Sequence, residues 1–252
     1  DKAAEGLQAD LDTYLQEAEG ENYKNMIRFD YENREDMFDR HTYQKGGRIL
    51  HMLRNYIGDD AFFTSLKNYL NENKYTDVEM HQFRMACEKV TGEDLNWFFN
   101  QWFYAAGHPL LDINYAYDDS LKVQTVTVEQ RQNTKKVPVY KLPVKIDIYV
   151  DGKVETKQVV VDSLKNTFTF KVSSKPDLVN FDADKMLLCE KLDNHQTIEE
   201  WVFMYNNAPR YLDRFEALVK LANSPKDIAS ETMVQALNDK YHYIRRLVIS
   251  GL

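Results

Sequence analysis

Apolar residues change their spacing twice along this chain, and each change fixes what the segment around it can fold into. From Tyr43 to Gly107 they recur three and four apart. Ile49, Met52, Leu53, Tyr56 and Ile57 define one helical face, and Gly58 ends it. A second helix is expected to place Phe62, Phe63, Leu66, Tyr69 and Leu70 on one face. A third opens on a capping box, Thr76 to Glu79, runs through Met80, Phe83, Ala86, Cys87 and Val90, and stops at Gly92. A fourth carries Leu95, Phe98, Phe99, Trp102 and Phe103 and ends near Gly107 and Pro109. Upstream, Asp10 to Glu19 reads as a weaker helix with Leu11, Tyr14, Leu15 and Ala18 on one face. Residues 20–41 are polar, aromatic and irregular.

Near residue 108 the period drops to two. Val144, Ile146, Ile148 and Val150 alternate, an Asp151–Gly152 turn follows, and Val159 and Val161 alternate on the return. Phe168, Phe170 and Val172 repeat the pattern, and Leu121 to Val128 is rich in Val and Thr. Several short strands separated by turn signals predict a small antiparallel β-sandwich. From about residue 195 the helical period returns. A capping box at Thr197–Glu200 opens helices over Ile198–Asn206, Leu212–Ala222, Lys226–Leu237 and Tyr241–Ile249. Hairpins of this size read as the start of an α-helical solenoid. The expected organisation is therefore mixed α and β and multidomain: a helical unit at 1–107, a β-sandwich at 108–190, and the start of a helical repeat unit at 191–252.

Hydrophobic residues make up 43% of the chain, which supports packed cores rather than disorder. The net charge is −8, and an acidic balance argues against nucleic acid as a partner. The charge is concentrated. Residues 1–42 hold twelve acids and five bases, a net of −7, read as a solvated acidic face in preference to a lure for cationic ligands. Cys87 and Cys189 allow one disulfide but no disulfide framework. Cys87, on an apolar helix face, reads as a buried thiol. No signal peptide or membrane-length apolar run is visible. The chain starts without Met and ends at ISGL in mid-pattern, so it reads as a piece of something longer. Low cysteine use suits a cytoplasm and a periplasm equally, and neither oligomeric state nor compartment is legible.

The common catalytic patterns are missing. Of His41, His51, His81, His108, His195 and His242, no two have the i, i+4 spacing that turns two imidazoles toward one ion, and there is no C-x-x-C. No zinc site is expected in this chain. Gly46–Gly47 does not belong to a phosphate-binding glycine loop, and no G-x-S-x-G marks a nucleophile. The aromatic cluster Trp97, Phe98, Phe99, Trp102, Phe103 and Tyr104 follows a helix face and reads as core. The acidic run NREDMFD reads as a solvated loop.

What stands out is TYQKGG, Thr42 to Gly47. With Thr42 as N-cap, Tyr43 falls in a first helical turn, where a phenol can point into a cleft. Such a hydroxyl is suited to donating to an oxyanion that develops during acyl chemistry. Each helical glycine costs about 1 kcal/mol against alanine, so two together imply a close approach by another backbone or by a substrate. The alternative is that Tyr43 covers a core and the glycines allow tight helix packing. Pattern alone favours the packing reading.

The run TYQKGGRILHMLRNYIGDDAFFTSLKNYL, followed by DLNWFFNQWFYAAGHPLLDI, resembles the zinc aminopeptidases that include aminopeptidase N and the leukotriene hydrolases. The shared pattern is Tyr43, Lys45 and Gly46; then Leu50, Leu53, Gly58, Phe62 and Tyr69; then Phe99, Trp102, Gly107 and Pro109. The preceding RFDYENREDMFDRH fits as the loop leading to the tyrosine. The likeness covers about residues 10–115. Beyond that it rests on the order of blocks, which matches a thermolysin-like catalytic domain followed by a β-sandwich and a helical solenoid.

The resemblance implies a parent enzyme that removes N-terminal amino acids from peptide substrates. In that family H-E-x-x-H and a later glutamate hold zinc, and G-x-M-E-N binds the free amine. The tyrosine of Y-x-K-G donates to the tetrahedral intermediate. Only the last element is here, as Tyr43. Zinc is therefore expected in the intact parent and not in this chain, which by itself is expected to be inactive. Lys45 is given no direct chemistry and is expected to pair with a nearby carboxylate or to cap a local network. Phe38 is expected to line the substrate cleft near Tyr43. The alternative is a non-catalytic scaffold of the same architecture that binds a protein partner.

Overall fold

The computed structural model describes residues 1–193, 195–224 and 227–251. Helix α1 spans Lys2–Glu17, starting eight residues before the expected Asp10, and Ala4 in its first turn packs against the core of the C-terminal helices. A turn of π-helix, His41–Lys45, leads directly into α2, Gly46–Ile57. Helix α3, Asp59–Glu72, packs against α4, Met80–Thr91. Phe62 is buried in that contact, but Phe63 and Leu70 are exposed, so the apolar face of α3 is narrower than its sequence implied. Phe63 lies instead under the Arg54 guanidinium, 5.0 Å from it.

The cap of α4 is not Thr76. Glu79 is the N-cap, and its backbone N–H donates to Gln82 Oε1 at 2.8 Å. The Thr76 hydroxyl donates to the Asn73 carbonyl and closes the turn before it. Gly92, left-handed at φ 73°, ends α4 as its position predicted. The fourth helix is split into α5, Asn96–Phe99, and a π-turn, Asn100–Tyr104. Phe98, Phe99, Trp102 and Phe103 on it are buried core.

Seven strands follow: β1 Leu110–Asp118, β2 Val123–Gln130, β3 Leu142–Val150, β4 Lys153–Val161, β5 Lys165–Lys171, β6 Leu178–Phe181 and β7 Glu190–Asp193. They form a four-stranded sheet, β5-β2-β1-β7, and a three-stranded sheet, β4-β3-β6. Asp151 and Gly152, at φ 51° and 71°, make the two-residue hairpin between β3 and β4. The sheets are not wholly antiparallel. Strand β7 runs parallel to β1, because the chain reaches it by crossing over from β6 in the other sheet.

One hydrophobic core runs without a break from Tyr14, Leu53 and Phe99 in the helices to Ile113, Val126 and Ile146 in the sheets. A second joins Tyr149 and Leu178 to helices α6 Ile198–Asn207, α7 Tyr211–Ala222, α8 Asp227–Ala236 and α9 His242–Ile249. The expected helix start at Lys226 lies outside the described residues. Cys87 and Cys189 are both buried free thiols.

Candidate functional site

The turn that carries Tyr43 is held by side chains the sequence did not single out. Thr42 is not its cap; it already has helical backbone angles inside the turn. The capping is done by Asp39, whose Oδ1 accepts the Thr42 N–H at 2.9 Å. The Tyr43 N–H donates to the Asp39 carbonyl at 3.1 Å, and the Lys45 N–H to the Arg40 carbonyl at 2.9 Å. That i→i−5 bond is what widens the turn into a π-helix.

Arg28 grips the same loop with all three guanidinium nitrogens. Nη1 donates to Asp39 Oδ2 at 2.8 Å, and Nη2 to the Asp36 carbonyl at 3.0 Å and Thr42 Oγ1 at 3.4 Å. Nε reaches Met37 Sδ at 3.4 Å. Lys24 Nζ adds a contact to Asp39 Oδ2 at 3.4 Å. Burial works to raise the Asp39 pKa, but the Thr42 N–H and the Arg28 guanidinium prevail and hold it below the ordinary carboxylate value. Asp39 thus departs from the rest of the NREDMFD run: Glu35 and Asp36 are exposed, while Asp39 is built into the turn. Its signal was present in the sequence, as an acidic residue three positions before the first helical N–H.

Beneath the turn is a layer of buried polar groups. His41 is fully buried, with Nδ1 3.1 Å from Glu17 Oε1 and Nε2 3.1 Å from the Asn22 carbonyl. Burial pushes its pKa down, against the pull of Glu17 and Asp39. Its ring meets the Tyr14 ring edge-on, and the Tyr14 hydroxyl lies 3.1 Å from His108 Nδ1. Burial, with Lys45 and His41 nearby, drops His108 to about 4. Lys45 does not pair with a carboxylate as expected. Its ammonium is buried without a hydrogen-bond partner among the described residues, 5.8 Å from the Tyr14 ring centroid.

Tyr43 itself is exposed, at 57% of its free surface, beside Phe38 at 65%. Their ring centroids are 5.9 Å apart, so the fold brings the two residues together. Among the described residues nothing hydrogen-bonds to the Tyr43 hydroxyl. Of the two glycines, Gly46 is buried against Met26, whose Sδ would lie 3.2 Å from an added Cβ, while Gly47 faces open space. A cavity of about 620 Å³ lies elsewhere, between Trp97 and Trp102 on one side and β3 and β4 on the other.

The helical unit that carries the exposed Tyr43 shares its core with the two-sheet β unit, an arrangement that matches an aminopeptidase fold. Aminopeptidase A of Legionella pneumophila, solved in complex with aspartic acid, superposes with a TM-score of 0.75 over 91% of this chain and 28% of that one, at 16% identity. Residues 6–102 match the Peptidase family M1 domain. "Probable aminopeptidase 1" of Sulfurisphaera tokodaii is 29% identical over 144 residues, which are 56% of this chain and 17% of that protein. Aminopeptidase N of Escherichia coli is 24% identical over 194 residues, 71% of this chain and 22% of that protein. The chain thus spans less than a quarter of the length of these two relatives. Among the described residues no helix is long and apolar enough to cross a membrane.

M1-family aminopeptidases are zinc-dependent in general. Glu17, Asp39 and His41 are the one set of potential ligand atoms among the described residues that converge, within 4.8 Å of one another. They do not suit a catalytic zinc. Both His41 nitrogens are directed at acceptors, and both Asp39 oxygens accept from Thr42, Arg28 and Lys24. An ion there would stand among Lys24, Arg28 and Arg40. The cluster is an ion-pair network that supports the Tyr43 turn.

Proposed function

We propose that this chain supplies one wall of the active site of a zinc aminopeptidase that removes N-terminal amino acids from peptides. Tyr43 is the residue that acts. Its phenol donates a hydrogen bond to the oxygen of the scissile carbonyl as that atom gains charge in the tetrahedral intermediate. The observation that carries this reading is the Tyr43 side chain, exposed on a turn whose backbone is fixed, with a hydroxyl uncommitted to any described residue. A phenol serving only to cover a core would be buried, as the Tyr14 and Tyr140 side chains are. Phe38, against it, forms an apolar shoulder of the substrate cleft. The zinc that supplies the Lewis acid and the activated water is held by residues outside this chain, which alone is inactive. Residues 1–107 are the helical distal part of a thermolysin-like catalytic domain, 108–190 a β-sandwich domain, and 191–252 the start of a helical repeat domain.

The test uses the full-length protein and its cleavage of an aminoacyl anilide. Tyr43→Phe should lower kcat by roughly 10²–10³ while zinc content is unchanged. A zinc-free, inactive full-length protein would point instead to a scaffold that binds a protein partner. Detectable anilide cleavage by the purified 252-residue chain would show that it needs no outside ligands and would overturn the assignment.

A further inference from the structure

We infer that Arg28 and Asp39 form a positioning clamp that sets where the Tyr43 phenol stands, acting on the reaction through Tyr43 without touching substrate. The inference rests on the reading of Tyr43 given above.

Phe38 lies in the short loop between Asp36 and the π-turn, Tyr43 lies in the π-turn itself, and both side chains are exposed. Neither ring is packed into the core, so their positions depend on the backbone beneath them. That backbone is fixed at both ends by one side chain. Arg28 holds the Asp36 carbonyl and the Met37 sulfur before Phe38, and the Asp39 carboxylate and Thr42 hydroxyl before Tyr43. Asp39 completes the clamp by capping the Thr42 N–H, one peptide from Tyr43, while its carbonyl takes the Tyr43 N–H. The side chains of the pair are largely buried, 15% exposed for Arg28 and 11% for Asp39, so the contact is not a loose surface ion pair. The planar fork is needed: a lysine has one nitrogen and cannot reach four acceptors in different directions.

The arrangement suits a donor that must meet an oxygen existing only in the transition state. A displacement of about 1 Å in such a group costs up to about 10²-fold in rate. The clamp holds the turn with charge-assisted hydrogen bonds and leaves the phenol's own hydroxyl free. Its loss should therefore appear in kcat more than in KM.

The experiment is a double-mutant cycle in the full-length protein, with aminoacyl anilide as substrate. Arg28→Lys keeps the charge and loses the fork; it should lower kcat by about tenfold and change KM by less than about twofold. In a Tyr43→Phe background the same substitution should lower kcat by less than about twofold further, because the clamp has no phenol left to place. An equal loss in both backgrounds would mean that Arg28 merely holds the fold together, and the clamp would be rejected. So would an Arg28→Lys variant with unchanged kcat. Asp39→Asn, which keeps an acceptor for the Thr42 N–H and gives up the charge, provides the same cycle should the arginine variant not fold. If Tyr43→Phe retains full kcat, the reading of Tyr43 is what fails, and the clamp falls with it.

Discussion

The Lys45 ammonium sits 5.8 Å from the centroid of the Tyr14 ring, in a site where no hydrogen-bond acceptor of the described residues reaches it. Burial alone brings its pKa from 10.5 down to about 8. Below pH 8 the amine is charged in both folded and unfolded chains, and the full cost of burying it is present. Between about pH 8 and 10.5 the unfolded chain binds the proton and the folded one does not, so this group makes stability rise with pH. Lys45→Met should accordingly stabilise the fold at pH 7 by about 3 kcal/mol, and by progressively less toward pH 10. Urea unfolding at the two pH values measures the difference. A variant less stable at pH 7 would mean that the cation–ring contact outweighs the burial cost.

The opposite case is Glu216, a half-buried carboxylate with two partners. Its Oε2 lies 2.5 Å from Lys185 Nζ, and its Oε1 2.7 Å from Lys191 Nζ. Burial opposes its charge, but Lys185 and Lys191 overcome this and bring it from 4.5 to about 2. A depressed carboxylate stabilises fully above its unfolded pKa and loses that contribution as pH falls through the folded one. Wild-type stability should therefore decline between about pH 5 and 2, and Glu216→Gln should flatten that decline. At neutral pH the variant should lose about 1–3 kcal/mol, because Lys191 loses its counter-charge while Lys185 keeps Asp213 at 3.4 Å. Thermal unfolding followed from pH 6 to pH 3 separates the two curves, and parallel curves would count against the assignment.

Gly107 needs to be glycine for two independent reasons. Its φ is 81°, and an added Cβ would lie 2.6 Å and 2.9 Å from the two methyl carbons of Val137. Gly107→Ala should destabilise by more than about 2 kcal/mol, from the left-handed backbone together with the overlap. Val137→Ala, made on top of it, should recover only the overlap part. Full recovery in denaturant titrations would show that the backbone term is negligible here.

The helices and the β3–β4 hairpin were legible because burial and spacing agree there. Ile49, Met52 and Leu53 are all buried on α2, and the Asp151–Gly152 turn needs the positive φ that its residues tolerate. Other features were set by partners remote in sequence. Phe63 matches the apolar face of α3 but stays exposed beside Arg54 and Phe62, and β7 takes its direction from a crossover that strand spacing does not encode. In the candidate site the tyrosine was legible by its resemblance, and Phe38 by its nearness in the loop. Arg28 was not, since it acts across 11 to 14 residues on Asp39 and Thr42. Nor was the isolation of Lys45: the sequence is rich in carboxylates, yet the fold turns none of the described ones toward that amine.

The two glycines that open α2 should respond differently to alanine, and the difference says why they are there. Gly47 is exposed, has no atom within 4 Å of where a Cβ would stand, and sits in a helix with no positive φ. Gly47→Ala should raise stability by about 0.5–1 kcal/mol, the ordinary helical gain. At Gly46 the same gain is offset by the Met26 sulfur, 3.2 Å from the new carbon, which must move aside; the net effect should be near zero. Packing therefore accounts for Gly46 and leaves Gly47 unexplained. If the open surface over Gly47 is where substrate passes toward Tyr43, Gly47→Ala in the full-length protein should be more stable and yet have a higher KM for the anilide. Unchanged kinetics would remove the close approach of substrate as the reason for the second glycine.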